Sequence, residues 1–277
     1  MHLSGRRAHI VGVTGPAGTG KSTLVAELIR EFRRRGRTVG VVAVDPTSPF
    51  SGGAVLGDRV RMQDFASDPG VFIRSMATRG HLGGLARATS EVVRVLEATG
   101  RQMVLVETVG AGQAEVEIAR TADTTVVVEV PGLGDDVQAI KAGLMEIADI
   151  FAVNKADIDN ADRVVLALRL ALHLGPASPW EVPILKTVAT TRVGTVELAD
   201  AIDRHYKYLQ DSQQLDSRER ERARAQLQEL FAERVRERLL QTLGAPGFEE
   251  VAERVASREI DPYSAADELL ALLGLPQ

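Results

Sequence analysis

Short apolar runs alternate along the chain with longer stretches in which apolar residues recur at helical spacing. AHIVGVTG precedes a helical pattern at 22–35, and TTVVVEVPG and DIFAVNKAD precede helical patterns at 136–148 and 161–174. The strand segments are continuous Val and Ile runs, which indicates burial on both faces of a parallel sheet. Further strands are predicted in TVGVVAVD, MVLVETVG and VPILKTVA, and further helices at 115–122 and 195–209. The pattern predicts a doubly wound α/β domain with a mostly parallel sheet.

The pattern changes near residue 208, which divides the chain into an expected α/β domain at 1–208 and a helical extension at 209–277. Charged residues dominate the extension, while one helical face carries Leu227, Leu230, Phe231, Val235, Leu239 and Leu243. GAPG at 244–247 interrupts this pattern, and shorter helices are expected at 248–257 and 263–273. The extension is too short to hold a core of its own, so its apolar face is expected to pack on the α/β domain or on another chain.

Composition excludes several classes of protein. The 277 residues include no cysteine and five histidines, which argues against disulfide-rich modules, thiolate metal sites and cysteine nucleophiles. The formal charge of −5 argues against nucleic-acid binding as the main activity. The chain has neither an apolar run of the roughly 20 residues that a membrane span needs nor a signal-peptide pattern. A cytoplasmic protein that binds no membrane is expected.

The segment from Gly15 to Ser22 fits the phosphate-loop pattern G-x-x-x-x-G-K-[ST], between a predicted strand and a predicted helix. Its glycines let backbone N–H groups curl around phosphates, next to the positive end of the helix. Lys21 is expected to reach the β and γ phosphates, and the Ser22 hydroxyl is expected to bind magnesium. The predicted nucleotide contacts are Gly15, Ala17, Gly18, Thr19, Gly20, Lys21, Ser22 and Thr23.

A second phosphate-side element follows the apolar run MVLV. Glu107 ends this run and Gly110 lies three residues further on. A carboxylate at the tip of a buried strand can bind magnesium or orient the attacking water, and a glycine lets a backbone N–H approach the γ phosphate. The spacing predicts both roles here.

Guanine is the base that the sequence favours. Asn154, Lys155 and Asp157 form the N-K-x-D pattern directly after a predicted strand. Guanine presents N1–H and N2–H₂ as adjacent donors that one carboxylate can accept, whereas adenine would place an acceptor against Asp157. Lys155 is expected to lie along the base and Asn154 to tie its loop to the phosphate loop. A later loop with Val188, Ala189 and Thr190 is expected to close over the base through a backbone N–H.

Several segments between these motifs resemble one family in order: AVDPTSPFSGG, LGDRVRM, RGHLGGLARAT, VETVGAGQAEVE and PGLGDDVQAIKAGLMEIAD. They are similar to the MeaB-like (ArgK-like) GTPases that accompany adenosylcobalamin-dependent acyl-CoA mutases, P-loop NTPases of the SIMIBI type. The resemblance implies that Ser22, Asp45, Asp58 and Glu107 surround magnesium. It also implies that Asp58 acts with Lys21 and Glu107 in catalysis, and that 134–141 is a further switch segment.

The resemblance implies a Mg-dependent GTPase that is a chaperone for a mutase of the methylmalonyl-CoA mutase type, and a homodimer built with the C-terminal helices.

Ala111 stands directly after Gly110, where Ras-like proteins carry a water-orienting Gln, and the nearest Gln is Gln113, so slow intrinsic hydrolysis is expected. Three alternatives stay open: a GTP-dependent metallochaperone for another metal enzyme, a kinase linked to amino-acid transport, and a nucleotide-sensing adaptor. The lack of cysteine counts against the first, and N-K-x-D counts against ATP as a phosphoryl donor in the second.

Overall fold

The computed structural model describes residues 7–45, 62–77, 82–108, 118–132, 142–175 and 178–272. The strands in these ranges are β1 (His9–Thr14), β2 (Val39–Asp45), β3 (Val71–Ala77), β4 (Met103–Glu107), β5 (Thr124–Glu129), β6 (Ile150–Val153) and β7 (Ile184–Lys186). They form one sheet in the order β3-β2-β4-β1-β5-β6-β7, and every neighbouring pair is parallel.

The same ranges contain the helices α1 (Lys21–Arg34), α2 (Leu82–Ala98), α3 (Ala142–Ile147), α4 (Ala161–Leu174), α5 (Thr195–Asp211), α6 (Gln214–Ala256) and α7 (Pro262–Leu272), besides a helical turn at 118–121. Helices pack on both faces of the sheet because successive strand residues point to opposite sides. Val11 lies in a buried cluster with Leu28 of α1 and Ile202 of α5, whereas Ile10 lies in a second cluster with Val93 of α2. The predicted doubly wound α/β fold is therefore confirmed.

β1 leads directly into the loop at 15–20, which contains the phosphate-loop pattern. Val13 near its end lies opposite Glu107 of β4 on one side and Val126 of β5 on the other. The carboxyl ends of parallel strands lie at one edge of a sheet, where ligands of doubly wound folds bind. The loop after β1 therefore opens at the same edge as the residues that follow β4, β5 and β6.

One strand and one helix between β2 and β4 lie outside the elements that the sequence pattern predicts. β3 forms an edge of the sheet, where Phe72 and Arg74 are exposed while Val71 and Ile73 are partly buried. Such an alternating strand lacks the continuous apolar run that marks the central strands. α2 contains the pair Gly83 and Gly84 in its first turn, and glycine is a poor helix former, so the helical pattern is weak there.

Two compact units divide the chain, one ending at Arg218 and the other beginning at Glu219. Within the second unit, Gly244 has φ 69° and ψ 164°, which interrupts α6 at the GAPG segment. Leu227 and Phe231 in the same unit are 68% and 66% exposed. Among the described residues, none of the helices combines the length and apolar character that crossing a membrane requires.

Candidate active site

The loop between β1 and α1 depends on glycine at two close approaches. Gly15 has φ 137°, and Gly20, which caps α1, has φ 86°. A Cβ atom on Gly15 would lie 2.2 Å from the carbonyl oxygen of Val128, and one on Gly20 would lie 2.6 Å from Nδ2 of Asn154. Glycine therefore lets the loop lie against β5 and against the residue that follows β6. The amide groups at the start of α1 form an anion-binding site together with the helix dipole.

The other predicted contacts of this loop differ in exposure. Ala17 and Gly18 are exposed and accessible to a ligand, whereas Thr19 is fully buried and its hydroxyl donates to the carbonyl of Pro16 at 3.0 Å. Thr23 is partly buried in the first turn of α1. The loop therefore has an exposed tip and an interior that the Thr19 hydroxyl stabilises.

The Lys21 ammonium lies over the loop and is 6% exposed. Its Nζ atom donates to the carbonyl oxygens of Gly15 at 2.9 Å and of Pro16 at 2.8 Å. A phosphate oxygen is a stronger acceptor for an ammonium than a carbonyl is, because the hydrogen bond then joins two ions. Lys21 can therefore exchange these carbonyls for a bound phosphate without leaving the loop.

Ser22 and Glu107 meet at the junction of α1 and β4. The Ser22 hydroxyl donates to Oε1 of Glu107 at 2.6 Å, and both residues are buried. A hydroxyl and a carboxylate are hard oxygen donors of the kind that Mg²⁺ prefers, so this pair fits the predicted metal. Asp45 is the last residue of β2, and its side chain is outside the described residues. Asp58, Gly110 and the segment 134–141 also lie outside them.

Asn154 joins three segments through one amide group. Its Nδ2 donates to the carbonyl of Thr19 at 2.8 Å, and its Oδ1 accepts from the backbone N–H of Ala189 at 3.1 Å and from the Thr187 hydroxyl at 3.2 Å. The residue is buried, so these bonds are shielded from competing water. The phosphate loop and the two predicted base loops are therefore held by the same side chain.

Lys155 and Asp157 lie on the exposed side of this junction. Lys155 has φ 56°, and its Nζ donates to the carbonyl of Gly18 at 2.9 Å. This lysine therefore crosses from the N-K-x-D loop to the tip of the phosphate loop. The side chain of Asp157 is exposed, which leaves its carboxylate oxygens open to the donors of a base.

In the loop at 187–190, two of the three backbone N–H groups predicted to contact the base are already hydrogen-bonded within the protein. The N–H of Val188 bonds to the carbonyl of Val193 at 2.9 Å, and the N–H of Ala189 bonds to Asn154. Thr190 is exposed, and its N–H makes no hydrogen bond within the described part of the chain. Of the three predicted contacts in this loop, Thr190 is therefore the one whose backbone donor can meet a base.

One contact in this region, between the hydroxyl groups of Thr14 and Thr108, is not predicted by the sequence motifs. Thr14, which directly precedes Gly15, and Thr108, which directly follows Glu107, are buried with their hydroxyl oxygens 2.8 Å apart. Their places next to two motif residues are the only sequence signal, and the pairing of β1 with β4 is needed to bring them together.

Comparison with known proteins identifies the family. The family model described as "Methylmalonyl Co-A mutase-associated GTPase MeaB" matches residues 1–243. The chain belongs to the MeaB family of GTPases. A Pyrococcus abyssi protein named a GTPase is 53% identical over 267 residues, which is 95% of this MeaB-family chain and 82% of that protein. The mouse protein "Methylmalonic aciduria type A homolog, mitochondrial" is 32% identical over 272 residues, covering 94% of this chain and 64% of the relative.

A solved structure supports the same assignment. The crystal structure named "LAO/AO transport system kinase" superposes with a TM-score of 0.72 at 27% sequence identity, and the match covers 98% of this chain and 83% of that one. The MeaB-family chain is thus a P-loop GTPase, and its fold implies a guanine nucleotide as the ligand of the phosphate loop.

Proposed function

We propose that this chain is a Mg²⁺-dependent GTPase that acts as a chaperone for an adenosylcobalamin-dependent acyl-CoA mutase of the methylmalonyl-CoA mutase type. Binding and hydrolysis of GTP gate the loading of the mutase cofactor and protect or reactivate the mutase, because nucleotide state changes which loops a partner meets. The family match over residues 1–243 carries this proposal. The name of the mouse relative, which refers to methylmalonic aciduria, supports it.

In this proposal the phosphates lie on the backbone amides of the loop at 15–20, and Lys21 contacts the β and γ phosphates. Ser22, Glu107, Asp45 and Asp58 are the residues that would hold Mg²⁺. Bound Mg²⁺ supplies positive charge that neutralises the phosphates during transfer. The direct bond between Ser22 and Glu107 supports this assignment, because it brings two oxygen donors together beside the phosphate loop.

The base is recognised at the opposite end of the nucleotide. Asp157 accepts from N1–H and N2–H₂ of guanine, Lys155 lies along the ring, and Thr190 donates its backbone N–H to the base. The exposure of Asp157 and Thr190 beside the buried Asn154 supports these roles. Hydrolysis is slow in the isolated protein, because Ala111 stands where a water-orienting Gln would follow Gly110. Glu107 then orients the attacking water once a partner completes the site.

The helical extension at 209–277 is proposed to form a homodimer with a second copy in the cytoplasm. The exposed side chains of Leu227 and Phe231 support this proposal, because they are four residues apart on one helix and so share a face that a second copy can cover. A chain truncated after residue 210 is expected to be a monomer that still binds GTP. Light scattering after size exclusion checks the mass, and a truncated chain that stays dimeric contradicts the role of the extension.

The decisive experiment measures GTP hydrolysis by the protein alone and with candidate acyl-CoA mutases, each with and without cofactor. We expect one mutase to accelerate hydrolysis by more than tenfold and the cofactor to change that factor. An arm with ATP, GTP and small acceptor molecules measures direct phosphoryl transfer, which a kinase would show. If no mutase changes the rate while GTP hydrolysis persists, the chaperone role is wrong and the GTPase assignment stands.

A further inference from the structure

The two threonine hydroxyls described above lie between the parts of the site that hold phosphate and metal. Thr14 is fully buried and Thr108 is 3% exposed, and their oxygens are 2.8 Å apart. Either hydroxyl can be the donor of this bond. Neither side chain belongs to a motif that predicts contact with the nucleotide, so the pair has no role in the site as assigned so far.

The pair lies one step beyond the regular pairing of β1 with β4. The last paired residues are Val13 and Glu107, and the N–H of Thr108 then donates to the carbonyl of Val13 at 3.1 Å. β4 ends at Glu107, so the backbone pairing of β1 with β4 stops here, although Thr14 still pairs with Val127 of β5. The hydroxyl bond therefore extends the contact between the two strands by one residue through side chains.

The hydroxyl bond lies next to Glu107, the residue that precedes Thr108. The carboxylate of Glu107 accepts from Ser22 at 2.6 Å, and Ser22 belongs to the helix that follows the phosphate loop. Thr14 lies at the start of that loop, and Thr108 is bonded to Glu107 along the chain. The hydroxyl bond and the Ser22–Glu107 bond thus connect the phosphate loop to the end of β4 at two points, one on each side of the loop.

We infer that Thr14 and Thr108 are positioning residues for GTP hydrolysis, which act by fixing the end of β4 against the start of the phosphate loop. They do not touch the nucleotide. Their loss leaves the amides and Lys21 of the phosphate loop in place, so affinity for GDP is retained. It lets the Glu107 carboxylate leave its place beside Ser22, so the rate of the chemical step falls, because small displacements of a reacting group slow a reaction strongly.

Four variants of the full chain test this inference: Thr108→Val, Thr14→Val, their combination, and Thr108→Ser. Valine keeps the shape of threonine and removes the hydroxyl, while serine keeps the hydroxyl. Single-turnover hydrolysis of GTP is expected to slow about tenfold in each valine variant, a difference of about 1.4 kcal/mol in the barrier. The double variant is expected to match the single variants, because both hydroxyls act through one bond. Affinity for a fluorescent GDP analogue is expected to stay within about twofold.

Two comparisons separate positioning from a loss of folding. Thr108→Ser is expected to recover most of the hydrolysis rate. Thr124→Val provides a matched control, because Thr124 is a fully buried threonine at the opposite edge of the same sheet, and it should lower thermal stability without slowing hydrolysis. The inference is overturned if Thr108→Val hydrolyses GTP at the parent rate, if it loses GDP affinity as much as rate, or if Thr108→Ser is as slow as Thr108→Val. A parent protein that hydrolyses no GTP would instead contradict the GTPase activity itself.

Discussion

The carboxyl ends of the parallel strands form one border of the sheet, the carboxyl edge, and their amino ends form the other, the amino edge. The polar side chains at these two borders differ in the groups to which they bond. At the carboxyl edge, the ammonium groups of Lys21 and Lys155 are bonded to carbonyl oxygens of the phosphate loop. Those carbonyls are weaker acceptors for a cation than a phosphate is. At the amino edge, side chains from distant parts of the chain bond to one another and are buried. The cations at the carboxyl edge can exchange a carbonyl for a phosphate when a ligand binds, whereas the groups at the amino edge bond to side chains of the protein itself.

The amino edge contains a chain of hydrogen bonds. The Thr124 hydroxyl oxygen lies 2.8 Å from Nε2 of His9 and 2.9 Å from Nδ1 of His205. A hydroxyl has one proton, so Thr124 donates to one imidazole and accepts from the other. His205 then reaches the carboxylate of Asp149 at 3.2 Å, and Arg218 lies at the same distance from that oxygen. His205 and the neighbouring Arg218 hold the pKa of Asp149 below its ordinary value against the opposing effect of burial.

Lys21→Ala should produce the largest effect, because it removes the cation that changes partners at the carboxyl edge. We expect affinity for GTP to fall roughly 100-fold, given that a charge-assisted hydrogen bond contributes about 1.5–3 kcal/mol, and hydrolysis to become undetectable. Isothermal titration and a phosphate-release assay measure both. Lys207→Ala is the matched control, since Lys207 is an exposed lysine that lines a cavity at the amino edge. If Lys207→Ala lost as much GTP affinity as Lys21→Ala, the carboxyl edge would have no special role in binding the nucleotide.

Asp157→Asn tests the base end of the carboxyl edge. In the proposed site the amide would place a donor where the carboxylate accepts from guanine, so GTP affinity should fall roughly 100-fold. Xanthosine triphosphate, which presents a carbonyl in place of the guanine amino group, should bind better to the variant than GTP does. Competition against a fluorescent nucleotide measures the two affinities. Asp159→Asn is the control, because it changes another exposed aspartate close by and should leave both nucleotide affinities unchanged. If Asp157→Asn keeps its selectivity for GTP, Asp157 does not contact the base.

Asp149→Ala tests the amino edge. The carboxylate accepts from the backbone N–H of Thr125 at 2.8 Å besides its contacts with His205 and Arg218. Removing it leaves the buried N–H of Thr125 and the buried imidazole of His205 without this acceptor, so the free energy of unfolding should fall by about 3 kcal/mol. Urea denaturation measures this loss, and the hydrolysis rate at a temperature where the variant is folded should equal that of the parent. Asp162→Asn is the control, because this carboxylate is 89% exposed and pairs with Lys186 at the surface.

The smallest expected effect is a pH dependence of stability from His9. Burial, reinforced by the electrostatic effects of His205, Arg37 and Arg7, holds the pKa of His9 well below 6.5. The folded protein therefore keeps this imidazole neutral while the unfolded chain binds a proton below pH 6.5. The contribution of His9 to the free energy of unfolding does not change with pH above 6.5. It decreases as the pH falls from 6.5 toward the pKa of His9 in the folded protein, by at most about 1.4 kcal/mol per pH unit.

His9→Gln should make the free energy of unfolding less dependent on pH between about 6.5 and 5, relative to the parent protein. Urea denaturation at a series of pH values measures the difference in slope. His173→Gln, at an exposed histidine, should keep the slope of the parent. A His9 variant that follows the same curve as the parent would show that the imidazole is not held neutral.

The central fold was predictable because its signals are local. The apolar run of β1 and the spacing of α4 reveal both elements, and α4 spans 161–174 as its pattern predicts. β3 was not predictable in the same way, because an edge strand alternates in burial and carries Arg74 among its apolar residues. Strand prediction from continuous apolar runs therefore finds the centre of a parallel sheet and overlooks its edge.

The candidate site divides along the same line. Gly15 to Ser22 and Asn154 to Asp157 are recognisable because each group of residues is contiguous and the chemistry needs that spacing. The Thr14–Thr108 bond joins residues 94 positions apart, and the bond between His9 and Thr124 joins residues 115 apart. Such pairs depend on strand order and register, which no local pattern specifies.

Asn154 makes the two halves of a nucleotide depend on each other. Its amide group bonds to Thr19 of the phosphate loop and to Ala189 of the loop proposed to contact the base, so a shift of one loop on ligand binding would be passed to the other. Guanosine and pyrophosphate added as separate molecules should therefore bind with positive cooperativity, each raising the affinity of the other. This coupling through a single buried amide would add to the gain in affinity that GTP has because its base and phosphates are covalently linked.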